Sequence, residues 1–157
     1  MDFEFRPYAP EDAAFVGGLV DRFSEFELPP WRTRADVTAG TRREWDRQLG
    51  GKEDGAFPFV AVEKASRERV GFIVLVKLPD FFTSGSNCYV SDMAVSHGAD
   101  GKGAGSAMLA FAEKFAREQG CERLALGVFP GNARARALYE RHGFGVELLR
   151  MVKPLAR

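Results

Sequence analysis

The sequence predicts an α/β chain of the α+β kind: one domain over residues 1–157, built on a mixed, mostly antiparallel sheet flanked by helices. Three observations carry that expectation. Stretches with an apolar period of two and stretches with a period of 3.6 follow one another as strand, two helices, three strands, helix, strand, helix, strand. At 157 residues and 45% hydrophobic content the chain can bury one core and has little room for a second. No internal repeat, low-complexity tract or linker divides it.

Phe3 and Phe5 alternate with Asp2, Glu4 and Arg6, the pattern of a half-buried first strand, and Pro7 and Pro10 close it. Val16, Leu19, Val20 and Phe23 fall at helical spacing, with Glu11 and Asp12 where the positive end of a helix favours acids. Pro29 and Pro30 stop that helix. A more polar helix is expected over about 33–49, with Gly50 and Gly51 past its end.

Ala56–Glu63 and Val70–Leu78 are β-rich runs separated by the polar KASRER stretch, as in an antiparallel pair. Residues 80–87 form a loop whose Phe81 and Phe82 read as core anchors before substrate walls. Cys88–Val95 is apolar on both faces apart from Ser91 and Asp92, which makes it a central strand. Met108, Phe111, Ala112 and Phe115 mark a helix ending at Gly120. Leu124–Phe129 is the next strand. Asn132 is placed to cap a short helix, Ala133–His142, stopped by Gly143, and the tail Phe144–Lys153 is expected to form one or two strands.

Charge and cysteine usage narrow the function classes. Twenty-two basic and 22 acidic residues cancel, so no overall field favours nucleic acid or an anionic membrane. The basic cluster Arg32, Arg34, Arg42, Arg43 and Arg47 is interleaved with Asp36, Glu44 and Asp46 and reads as a solvated helix face. Cys88 and Cys121 lie outside any C-x-x-C spacing and read as buried, reduced thiols. The acidic N-terminus and the lack of any apolar run near the roughly 18 residues of a membrane span lead us to expect a cytoplasmic protein.

The stretch GADGKGAGSAM at 98–108 raises the functional question. It has four glycines in its first eight positions, follows a strand and precedes a helix. Strand, glycine-rich turn and helix N-terminus together expose backbone N–H groups to an anion, although the same turn can simply connect the two elements. The dinucleotide pattern G-x-G-x-x-G fails, since Ser106 or Met108 stands where the third glycine belongs. The P-loop fails too, because Ala104 occupies the position of its lysine.

The run VSDMAVSHGADGKGAGSAML, followed by LALGVFPGNARARALYERHGF, resembles the GNAT superfamily of acetyl-coenzyme A dependent N-acetyltransferases over roughly residues 59–150. The family's phosphate loop is matched by Asp100, Gly101, Lys102, Gly103, Ala104 and Gly105. Its later block is matched by Asn132, Ala135, Leu138, Tyr139, Gly143 and Phe144. Asp100 departs from the usual Arg or Gln and should weaken phosphate binding, with Lys102 as an offset.

The resemblance implies a sheet of six or seven strands with about four helices, splayed between the fourth and fifth strands. Acetyl-CoA would be the cosubstrate, with no metal. Pantetheine would pair with the backbone of Met93, Ala94 and Val95, and the pyrophosphate would rest on the N–H groups from Lys102 through Ser106, with Asn132 as cap or ligand. Tyr139 matches the family's general acid. Asp92, on a central strand where burial would raise its pKa, is the candidate general base; Glu25, Glu27 and Asp80 are alternatives. An ordinary buried Asp and an ordinary packed Tyr are the competing readings.

YVSDMAV also looks like the spermidine/spermine-acetyltransferase branch, with Ser91 in place of the first of two acids. His97 and His142 lack ligands at metal spacing, and Ser91 and Ser106 lack a neighbouring histidine for a triad, so direct transfer is expected. The implied function is acetyl transfer to a primary amine of a small molecule, with a homodimer in keeping with the family. The alternatives are a non-catalytic acyl-CoA-binding sensor and a protein or peptide N-acetyltransferase.

Overall fold

A computed structural model describes residues 1–50 and 55–156. Five strands form one sheet in sequential order: β1 (Phe3–Pro7), β2 (Ala56–Glu63), β3 (Arg69–Pro79), β4 (Ser86–Val95) and β5 (Arg123–Leu126). The first four pair antiparallel, and β5 runs parallel to β4. The helices are α1 (Ala13–Gly17), α2 (Arg34–Leu49), α3 (Ala104–Glu118) and α4 (Ala133–Arg141), with 3-10 turns at Pro10–Asp12, Val20–Phe23 and His97–Ala99.

Alternation along β3 builds both cores. Ile73 and Leu75 face α3, where they meet Met108 and Ala112, while Phe72, Val74 and Val76 face α1 and α2, where they meet Val16 and Trp45. Every one of these β3 side chains is buried, as a strand covered on both faces requires. The aromatics predicted on β1 and α3 stack on one another, Phe5 and Phe111 at 4.5 Å.

Local chemistry explains the helix boundaries. Thr33 Oγ1 accepts from Asp36 N at 3.1 Å and Thr33 N donates to Asp36 Oδ2 at 2.9 Å, a reciprocal cap that starts α2. Gly50 follows its last residue; Gly51, also expected there, lies outside the described residues. The helix expected around Val16–Phe23 is broken into α1 and a 3-10 turn at Gly17 and Gly18, where two glycines in succession weaken an α-helix. The arginines of the α2 region are exposed.

Two expectations fail. The tail 144–153 forms no strand: the described residues from Gly145 onward carry no regular structure and are exposed, so the sheet has five strands where six or seven were expected. The local pattern is strand-like, but a strand exists only when it finds an edge. Phe81 and Phe82 are not core anchors. They are 92% and 72% exposed and meet each other edge to face at 5.1 Å, because the 80–85 loop is closed by Asp80 side-chain and backbone bonds without drawing the rings inward. Cys88 is buried and Cys121 half-buried, both free. Among the described residues no helix is long and apolar enough to cross a membrane.

Candidate active site

The pairing of β4 with its two neighbours creates the opening. β4 and β5 stay in register from Asn87/Arg123 to Val90/Leu126 and then part. At the same point β4 bulges on its β3 side: Leu75 pairs with Val90 and Val74 with Asp92, leaving Ser91 as the extra residue. A bulge bends a strand and increases its twist, so the sheet divides here. Beyond it, among the described residues, the β5-facing edge of Met93, Ala94 and Val95 has no strand beside it.

A cleft of about 560 Å³ occupies the gap. The glycine loop and the first turn of α3 line one end, Asp92 and the β4 edge the middle, Asn132, Leu138 and Tyr139 the far wall, and Phe23, Phe26, Val37 and Thr41 the side toward the N-terminal helices. These residues come from segments more than a hundred positions apart and meet because the sheet is splayed.

The loop fits an anion. Gly101 and Gly103 sit at φ +73° and +86°, left-handed backbone that side chains rarely adopt, and a Cβ on either would meet only open space. The first N–H groups of a helix have no partner inside it, and Gly103, as N-cap, offers no side chain to them. Lys102 departs from the expectation. Its N–H bonds to the Ala99 carbonyl at 3.3 Å, because the chain turns tightly there, so the open amides begin at Gly103. An acyl carrier's pyrophosphate is compatible with this bare, dipole-favoured surface.

Asp100 does not stand as an isolated acid. Arg22 Nη2 lies 2.7 Å and Arg134 Nη2 3.0 Å from its Oδ1. Two guanidiniums, not Lys102, therefore answer the carboxylate within the chain. Arg22 also bonds Glu25 at 2.8 Å and His97 at 2.9 Å, and Glu25 bonds His97 at 2.9 Å, so this alternative base is already engaged. Asp80, another alternative, is held in its loop by Asn87 Nδ2 at 2.8 Å and Phe82 N at 3.1 Å.

Asp92 is placed differently. Burial pushes its carboxyl above the ordinary range, the charge of Glu44 adds to that, and hydrogen bonding from Ser91 together with the nearby Trp45 indole opposes it. Its Oδ2 accepts from Ser91 Oγ at 2.9 Å, and Ser91 accepts from Gln48 Nε2 at 2.8 Å. Gln48 is 3% exposed and also donates to Glu44 at 3.0 Å. The Trp45 N–H reaches no hydrogen-bonding geometry and is buried without a partner. Asp92 thus sits at a bulge, but a side-chain chain from α2 holds it instead of backbone N–H groups.

Tyr139 keeps its proton, since burial raises the phenol above its usual pKa. It packs on Phe144 at 5.8 Å between ring centres. Asn132 Oδ1 accepts from Ala135 N at 3.2 Å and so caps α4. Sequence reading missed Arg22, Arg134 and Gln48. Gln48 falls on the same α2 face as buried Trp45, the only local signal that its amide points inward.

Known proteins supply the context for this geometry. The model of the acetyltransferase (GNAT) family matches residues 19–144. An uncharacterized N-acetyltransferase, YdgE, of Bacillus subtilis (strain 168) is 30% identical over 148 residues, 92% of each chain. Among solved structures, a Pyrococcus furiosus protein assigned as an acetyl transferase superposes with a TM-score of 0.75 at 23% identity, covering 98% of this chain and 100% of that one. A ribosomal-protein-alanine N-acetyltransferase from Brucella melitensis gives 0.71 at 19% identity over 98% and 100%. A glucosamine-6-phosphate N-acetyltransferase from Arabidopsis thaliana gives 0.66 at 18% over 99% and 100%. The last two names differ in acceptor, so the shared fold leaves the acceptor open.

Proposed function

Because the chain belongs to the acetyltransferase (GNAT) family, we propose that it is an N-acetyltransferase moving an acetyl group directly from acetyl-CoA to the primary amine of a small molecule. The observation that carries this reading is the placement of Asp92: a carboxylate of raised pKa at the point where β4 and β5 part, in the same cleft as the glycine loop and Tyr139.

Acetyl-CoA, when bound, supplies the acetyl thioester. The amides from Gly103 to Ser106 receive its phosphates, and the open edge at Met93, Ala94 and Val95 receives its pantetheine as a sheet receives an added strand. Arg22 and Arg134 bring cations to the phosphate end.

An alkylammonium acceptor, with a pKa near ~10.4, must lose a proton before its nitrogen can attack. Asp92 attracts the ammonium and takes that proton, directly or through water, and its raised pKa makes it a better acceptor than an ordinary aspartate. Tyr139 retains the phenol proton that a departing thiolate can take. A thiol of pKa about 8.5 leaves tolerably unaided, so the tyrosine assists without being indispensable. Phe23, Phe26, Val37 and Thr41 give the acceptor side an apolar wall beside one carboxylate, which suits a compact cation with a hydrocarbon body.

The test is amine-dependent release of free thiol from acetyl-CoA across small amines, aminoglycosides and peptides. Release with small primary amines is expected. Release with peptides alone would transfer the activity to a protein acceptor, and cofactor binding without release for any amine would make the chain a sensor.

A further inference from the structure

The segment that leads from the Val20–Phe23 turn toward α2 is fastened to both walls of the cleft. On the β4 side, Arg22 bonds Asp100 at 2.7 Å and His97 at 2.9 Å, and Glu25 bonds His97 at 2.9 Å. On the β5 side, Phe26 lies against Phe129 with ring centres 5.8 Å apart. One residue further on, the Glu27 carbonyl rests on Gly131, in the turn between β5 and α4. Residues 22–27 therefore form a strap across the gap where β4 and β5 part, and Arg22, Phe23 and Phe26 line the cleft.

Gly131 is what lets the strap sit down. Its φ is not left-handed, so its own backbone would accept a side chain. A Cβ there, however, would fall on the Glu27 carbonyl oxygen and stand 3.0 Å from the carbonyl carbon and 3.1 Å from the Glu27 Cβ. The obstacle is backbone, which no change of rotamer moves aside. A glycine required by its neighbour, and not by its own conformation, marks a close approach of two chain segments.

The seat rests on few contacts. Among the described residues no backbone–backbone hydrogen bond joins 25–28 to the sheet. The chain on either side is held more firmly: Phe23 packs edge-on against Trp45 at 5.5 Å, and Thr33 is locked into the reciprocal cap of α2. A lightly seated segment between two anchored ones opens more readily than its surroundings.

We propose that residues 22–27, seated through Gly131, close the acceptor side of the cleft and restrict the acceptor to an amine small enough to fit beneath them. Gly131 is then a specificity-determining residue that touches no substrate. An extended peptide needs an open groove, which a strap fastened to both walls denies it, whereas a compact amine needs only the space beside Asp92. The inference rests on the acetyltransfer reading and deepens it by assigning what keeps larger acceptors out.

Gly131→Ala adds the one atom that unseats the strap. Relative to a short alkylamine, it is expected to raise kcat/KM for the lysine of a short peptide by about tenfold or more, with coenzyme A affinity within about twofold of the parent's. An unchanged ratio overturns the proposal. Phe26→Ala removes the ring contact and adds nothing, so it decides should Gly131→Ala lose its fold: the ratio is expected to move the same way, and a ratio equal to the parent's overturns the strap. A readout without turnover separates this proposal from the reading it rests on. With a benzophenone amino acid in place of Phe26, irradiation is expected to cross-link position 26 to the peptide 127–136, and adding Gly131→Ala is expected to lower the yield severalfold. No such cross-link, or equal yields in the two chains, overturns the strap. A cross-link lost in Gly131→Ala while neither chain acetylates any amine supports the strap and overturns the acetyltransfer reading alone.

Discussion

Arg22 and Asp100, 78 positions apart, form a 2.7 Å ion pair that ties the 3-10 turn before α2 to the glycine loop. Arg134 shares the same carboxylate oxygen. The pair cancels the charge that this loop would otherwise present to a diphosphate. Asp100→Asn is therefore expected to tighten coenzyme A binding by about three- to tenfold at low salt, and the gain should shrink as salt screens it. Arg134→Ala should weaken binding by a similar factor, kept modest because that side chain is largely exposed. Calorimetric titration at two ionic strengths checks both, and looser binding by Asp100→Asn would place the arginines elsewhere in the bound state.

Asp92→Asn is expected to lower turnover by about a hundredfold or more at neutral pH while leaving coenzyme A affinity intact, the size usual for a lost general base. Unchanged turnover removes Asp92 from the mechanism. Steady-state rates beside a binding titration give the answer.

The hydrogen bond from Ser91 lowers the Asp92 pKa, whereas burial raises it. Removing the hydroxyl leaves burial less opposed. Ser91→Ala should accordingly move the acid limb of the turnover–pH profile to higher pH, and Gln48→Ala, which frees the hydroxyl from its α2 anchor, should move the limb without changing coenzyme A affinity. A profile that falls in height but keeps its midpoint would mean that the chain from α2 only packs.

Much of this site was readable before folding was considered. The glycine loop, the Asn132 cap and Tyr139 lie in two short runs whose spacing carries their meaning, because each works through its own backbone or its own helix. Asp92 was legible as a candidate because an acid in the middle of an apolar strand is costly to bury, and the structure sets it in the cleft. The Arg22–Asp100 pair was not, since no periodicity links positions so far apart. The tail misled for a related reason: alternation reports a preference for strand, but a strand also needs a neighbouring edge, and residues 145–156 pair with no strand among the described residues. Phe81 and Phe82 show the converse, apolar side chains left outside because loop polar bonds decide the backbone.

Gly103→Leu is expected to lower coenzyme A affinity at least tenfold and cost about 1–2 kcal/mol of stability. The stability loss comes from forcing a side chain into left-handed backbone, the affinity loss from a Cβ entering the open space above the loop. Thermal unfolding and calorimetric titration separate the two. Normal affinity in a folded variant would rule out the cradle.

Asp12 is a fully buried carboxylate, bonded by Arg6 at 2.7 and 2.8 Å, by Arg69 at 2.7 Å and by Ala9 N at 2.9 Å. The Arg6 guanidinium, with help from Ala9 and Arg69, outweighs burial and holds its pKa far below the usual carboxylate range. A depressed folded pKa contributes stability that is complete above the unfolded value of about 3.9 and drains away as pH falls from there toward the folded value. Asp12→Asn keeps the shape but leaves two arginines facing a neutral amide. It should cost about 3–5 kcal/mol near neutral pH, less to the extent that the two partly exposed guanidiniums recover water. It should also flatten the loss of stability below pH about 4. Chemical denaturation from neutral to acid pH tests both parts, and a variant whose acid limb runs parallel to the parent's would assign that limb to other carboxylates.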